Sequence, residues 1–92
     1  MFSIDMRGLS DSQWHFVSDC LHESSNYYTV RDEQADFIKI ELSDAEKLAL
    51  ILTHGTDVRK CLADILNSFC QQRSDLFMPN SNYAWWTRIL PC

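Results

Sequence analysis

A chain of 92 residues with 46% hydrophobic and 23% charged content has the make-up of one globular domain, spanning residues 1–92, with a single modest core. Its net charge of −5 repels phosphate backbones and argues against direct nucleic-acid binding. No apolar run approaches the roughly 18 residues of a membrane span, and the opening "MFSIDMRGLSDS" lacks the basic start and apolar stretch of a secretory signal, so the expected compartment is the cytoplasm.

In chain order, "FSIDM" alternates Phe2, Ile4 and Met6 against Ser3 and Asp5, the period of a half-buried strand. "LSDSQW" then opens a helix: Ser10 and Gln13 stand as a capping box, with Leu9 and Trp14 at the staple positions. Trp14, Phe16, Val17, Cys20 and Leu21 form its apolar half, and His15, Asp19 and His22 its polar half. After "SSN" come "YYTV" and "ADFIKIEL", two strands expected to pair as a hairpin across "RDEQ". Ser43 and Glu46 make a second capping box, and Gly55 is expected to close that helix in a left-handed conformation. Its middle, "LALIL", is apolar nearly all round and predicts burial on more than one side. Thr56 is read as the cap of a third helix reaching about Arg73, with Val58, Cys61, Leu62, Ile65, Leu66 and Phe69 as its core stripe. The closing "YAWWTRIL" is read as a strand, being rich in poor helix formers. The expected fold is α+β, in the order β-α-β-β-α-α-β, an antiparallel sheet with helices packed on one face.

The chemistry-bearing residues give no enzyme and no cofactor. His15 and His22 are about 10 Å apart along their helix, too far to share an ion, so no metal is expected. Cys20, Cys61 and Cys70 fall on apolar helix faces, where thiolates are disfavoured, and no cysteine pair has redox or zinc spacing. All four cysteines are therefore expected to be reduced structural thiols. Two glycines in the whole chain leave nothing to cradle a phosphate. Trp85, Trp86, a tyrosine and Arg88 match a base-stacking platform in composition, but without the basic groove such a platform works in.

Two features point to partner binding. Residues 1–57 hold eleven acids against four bases, whereas residues 58–92 hold four bases against two acids. Asp32, Glu33, Asp36 and Glu41 cluster about the hairpin, where helix-dipole arguments that account for Asp44 and Glu46 do not reach. In a strand Trp85 and Trp86 point to opposite sides, so one ring faces outward. Trp85 shares a side with Tyr83 and Ile89 and is assigned to the core, leaving Trp86, beside Arg88, as the presented residue. The expected partner-binding set is thus Asp32, Glu33, Asp36, Glu41, Trp86 and Arg88. The expected function is a non-catalytic protein-binding module, a small acidic stoichiometric inhibitor covering a protein partner with a basic, nucleic-acid-handling surface. Immunity proteins, antitoxins and phage anti-defence proteins share that style in size and charge alone. The alternative is a homodimeric structural or assembly subunit that buries the "LALIL" helix and the outward tryptophan.

Overall fold

The computed structural model describes residues 1–24, 36–77 and 84–91 in full and residues 29–33 by their backbone. The fold is α+β. Strands β1 (Phe2–Asp5), β2 (Thr29–Glu33), β3 (Phe37–Glu41) and β4 (Ile89–Pro91) form one antiparallel sheet in the order β2-β3-β1-β4. The β2–β3 neighbours pair as the expected hairpin, but β2 runs on through Arg31, Asp32 and Glu33, which were expected in the connection, with a register shift between Val30 and Glu33.

Alternation along the strands decides which face is covered. Ile4 lies opposite both Ile38 on β3 and Ile89 on β4, and Phe2 lies opposite Ile40. Ile4, Ile38, Ile40 and Ile89 are wholly buried, so these side chains make one continuous apolar floor. The helices lie on that floor, contributing Val17 and Leu21, Leu50, and Cys61, Leu62 and Leu66 to the same core. The other face carries Ser3, Asp5, Phe37 and Lys39, all half-buried, with the Arg7 guanidinium 5.3 Å above the Phe37 ring.

Helix α1 (Asp11–Glu23) begins with the expected capping box. The Ser10 hydroxyl accepts from Gln13 N at 3.2 Å, and Gln13 Oε1 accepts from Ser10 N at 2.8 Å. Leu9 and Trp14 both pack on the core, and His15, Asp19 and His22 are exposed as expected. Helix α2 (Asp44–His54) has the second capping box, Ser43 with Glu46. Gly55 follows with φ 95° and ψ −169°. Its positive φ is as expected, but the extended ψ is a region open essentially to glycine alone, not the left-handed helical one.

Three further expectations are corrected. The "LALIL" helix is buried on one side only: Leu50 is in the core, while Leu48 and Leu52 are 57% and 77% exposed. This eleven-residue helix packs against α3 (Val58–Gln72), and no other described element covers a second apolar side of it. The cap of α3 is Asp57, not Thr56, its carboxylate accepting from Lys60 N at 2.8 Å. A carboxylate at that position gains from the helix dipole as well as the hydrogen bond. Finally, the strand expected over residues 83–90 is not one strand in its described part, residues 84–90; Tyr83 lies outside the described residues. Ala84 adopts a left-handed conformation, Trp85–Arg88 make a single helical turn (α4), and β4 starts only at Ile89. Thr87 holds the turn by donating to Ala84 O twice, from its backbone N at 2.8 Å and its hydroxyl at 2.7 Å. These bonds and the seating of Trp85 outweigh the β preference of the segment.

Candidate functional site

The two tryptophans part company on α4. Trp85 is 1% exposed, whereas Trp86, one residue on, is 60% exposed. Trp85 Nε1 donates to Cys70 Sγ at 3.2 Å, giving its one polar atom a partner inside the core. Arg88 reaches back across the end of β1, and its Nη1 donates to Asp5 O at 3.0 Å and Arg7 O at 2.8 Å. That guanidinium ties the C-terminal turn to the first strand, so these two bonds are structural.

Trp86 instead meets Arg59, whose guanidinium carbon stands 5.9 Å over the indole centroid. The two belong to a cleft of about 370 Å³ lined by Asp57, Arg59, Lys60, Ala63, Asp64, Asn67 and Trp86. Its construction follows from helix spacing. Lys60, Ala63, Asp64 and Asn67 recur at steps of three and four on one side of α3. Ala63, itself buried, has only a methyl group, and the missing side-chain volume opens the space that Trp86 walls.

The electrostatics of this cleft are unusual for a helix start. The first turn of α3 contains no acid, and Arg59 and Lys60 occupy positions where the dipole disfavours bases by about 0.3–1 kcal/mol each. Asp57 is committed to capping. Arg59 Nε is buried and makes no hydrogen bond among the described residues. Neither Lys60 Nζ nor the Asn67 amide has a partner among them. A guanidinium 5.9 Å from the centroid of a half-open indole shares the cleft with Lys60 and Asn67 and with two carboxylates, Asp57 and Asp64, so the lining is mixed in charge.

The expected acidic residues are placed as follows. Asp36 is exposed at the entrance to β3, and its carbonyl accepts from Met6 N at 2.8 Å. Glu41 is half-buried at the far end of β3, opposite Thr29. The side chains of Asp32 and Glu33 lie outside what is described. The structure therefore joins Trp86 to Arg59, a residue outside the expected partner-binding set. A usable signal was present: two bases in the first turn of a helix, against the dipole, within reach of an outward tryptophan.

Elsewhere the titratable groups are explained by packing. Cys20, Cys61 and Cys70 are free thiols. Burial pushes all three upward in pKa, aided for Cys20 by Glu23 and Asp19 and for Cys61 by Asp57 and Asp64. Cys61 Sγ donates to Gly55 O at 3.0 Å. A hydrogen bond from Arg73 holds Asp75 down at about 2. Among the described residues no three His, Cys, Asp or Glu side chains gather to hold a metal ion, and no described helix is long and apolar enough to cross a membrane. Comparison of the chain with protein-family models, with curated proteins and with solved structures finds no match.

Proposed function

We propose that this chain is a non-catalytic protein-binding module, a small acidic stoichiometric inhibitor of a protein with a basic, nucleic-acid-handling surface, acting in the cytoplasm. The observation that carries the reading is Trp86: a large ring 60% exposed, with the Arg59 guanidinium carbon 5.9 Å from its centroid, lining a cleft. Tryptophan and arginine are the side chains most enriched among interface hot spots, and a monomer seldom leaves indole surface open without use. The acids at Asp36 and Glu41 on either end of β3, with Asp32 and Glu33 in β2, supply a field that steers a basic partner. Arg59 takes the place first given to Arg88 as the companion of Trp86.

The test is partner capture with two sets of variants. Trp86→Ala should weaken the complex by about 2 kcal/mol or more. The triple change Asp32→Asn, Glu33→Gln and Asp36→Asn should slow association and flatten its salt dependence without loss of stability, since like charges are removed. Binding with an unchanged rate and salt slope in the triple variant would defeat the acidic-surface reading.

The exposed Leu48 and Leu52 favour a second reading, a homodimer through α2. They stand four residues apart on one side of the helix and present a small apolar stripe. Sedimentation over a range of concentration decides it. Leu52→Ser should abolish a dimer and leave a monomeric binder untouched.

A further inference from the structure

We propose that Cys20 and Cys70 are a redox pair, closed to a disulfide between α1 and α3 by hydrogen peroxide and reopened by thiols, and that closure is felt at the α4 turn. The contacts between the two helices set the register that brings the pair together. Near the start of α1, Gln13 Nε2 donates to Leu76 O at 2.7 Å. Three residues on, the Phe16 ring lies 5.5 Å from the guanidinium carbon of Arg73, the residue that ends α3. Partner numbers fall as those of α1 rise, so the two segments run antiparallel. One turn further along α1 is Cys20, about 6 Å beyond Phe16 on the axis, and one turn back on α3 is Cys70, about 4.5 Å before Arg73. Steps of four and three keep to one side of a helix, so the two cysteines come level on the facing sides. Their thiols interact electrostatically: Cys70 is among the groups that raise the Cys20 pKa, after burial, Glu23 and Asp19. Helix axes packed about 8–10 Å apart, with Cα atoms about 2.3 Å off each axis, bring facing Cα atoms inside the roughly 4.4–6.8 Å reach of a disulfide.

The third described thiol stands apart from this pair. Cys61 is 1% exposed, donates to Leu50 O at 3.5 Å and Gly55 O at 3.0 Å, and lies nine residues from Cys70, on the opposite side of α3. Cys20 and Cys70 are both half-buried, open to an oxidant as small as a peroxide. Burial raises the pKa of each, while the Trp85 hydrogen bond acts against it at Cys70. Thiolate is therefore scarce, closure is slow, and Cys70 attacks first. Its thiolate takes one oxygen of the peroxide, breaking the O–O bond, releasing hydroxide and leaving a sulfenic acid. The Cys20 thiolate then attacks that sulfur, forms the S–S bond and expels a second hydroxide. The two thiol protons turn both hydroxides to water, so the pair gives up two electrons and one peroxide becomes two waters. A reducing compartment reverses the change, as for other transient cytosolic disulfides. Cys70 Sγ also accepts from Trp85 Nε1 at 3.2 Å. Once bonded to Cys20 the sulfur turns from the indole, and Trp85 opens the turn that carries Trp86. The state of two thiols thus reaches the exposed tryptophan.

The experiment uses the full chain as Cys92→Ser, treated with hydrogen peroxide at low protein concentration and read by mass spectrometry and NMR. Cleavage before aspartates places Cys61 and Cys70 on different peptides. Without reductant, residues 19–31 should stay joined to residues 64–74, lighter by two hydrogens than the separate peptides. Neither segment contains methionine, the other residue that peroxide oxidises readily. Dithiothreitol should part them. Cys20→Ser and Cys70→Ser should each abolish the joined species. In the crosslinked protein the Trp85 indole N–H resonance should move, and reduction should return it to its first position. Cys20 and Cys70 recovered as free thiols, or carried to sulfinic acids on separate peptides, would overturn the pairing, as would Cys61 joined in place of either. A crosslink whose yield rises with protein concentration would also overturn it, because the bond would then join two chains. An unmoved Trp85 resonance in fully crosslinked protein would overturn the link to α4.

Discussion

Truncating Trp85 and Trp86 separately to alanine should split stability from binding along one helical turn. A buried tryptophan removes about 150–250 Å² from water, worth about 4–6 kcal/mol at ~25 cal/mol per Å². Trp85 is 1% exposed and loses this nearly in full, together with its bond to Cys70 Sγ. Partial collapse of the site brings the expected cost of Trp85→Ala to about 3–5 kcal/mol. A domain of this length is stable by only about 5–14 kcal/mol, so the variant should sit close to the edge of folding. Trp86→Ala exposes little that was covered and should cost no more than about 1 kcal/mol. Urea unfolding followed by far-UV circular dichroism measures both, and the melting temperature should fall by about 4–8 °C for each kcal/mol lost. A third variant, Trp85→Phe, keeps most of the apolar bulk and removes only the indole N–H. It should recover most of the stability. Equal losses for the two alanine variants would refute the division, because they would show Trp86 packed as deeply as its neighbour.

Two further outcomes follow from the titratable groups. In a Cys92→Ser background, Cys61 and Cys70 should react slowly with a maleimide at neutral pH in the folded protein and quickly in denaturant. Burial raises their folded pKa and withholds the thiolate; a folded-state rate equal to the denatured one would contradict the packing of α3. Asp5 is held below its ordinary 3.8, chiefly by the side-chain hydrogen bond from Arg7 and against the opposing effect of burial. Its folded pKa lies below its unfolded one, so its contribution is complete above about pH 4 and disappears as pH falls through the folded value. Because Arg7 is largely solvent-exposed, Asp5→Asn should cost only about 1 kcal/mol at pH 7 and nothing measurable near pH 2 by urea unfolding.

The fold was legible wherever a local rule and the tertiary structure agree. Both capping boxes, the β3 alternation and the α3 stripe are short-range patterns, and each is stabilised by residues three or four apart or by a strand neighbour. What local rules miss is the supply of partners. The "LALIL" run has apolar residues for two sides, but only Leu50 finds a core to enter. Whether a second side is covered depends on how many layers the fold has, and sequence period is silent on that. The same limit applies to Thr56 and Asp57: both are competent caps, and the choice of Asp57 is fixed by where the loop from Gly55 delivers the chain.

The outward tryptophan was legible for a different reason, one that survives an incorrect period. Trp85 and Ile89 are four residues apart, as are Trp86 and Leu90. A separation of four falls on one side of a strand with period two and also on nearly one side of a helix with period 3.6. Reading residues 83–90 as a strand therefore pairs Trp85 with buried Ile89 and Trp86 with exposed Leu90, and the mixed helix-and-strand segment keeps both pairings. Arg88 does not share this protection. Two residues from Trp86, it lies on the same side of a strand but about 160° away on a helix. One helical turn is enough to swing it from Trp86 toward the carbonyls of Asp5 and Arg7. The vacancy beside the indole goes to Arg59, which comes from another element altogether. No one-dimensional spacing could have joined two residues 27 positions apart in the chain; only the charge of α3's first turn, set against its own dipole, marked the place.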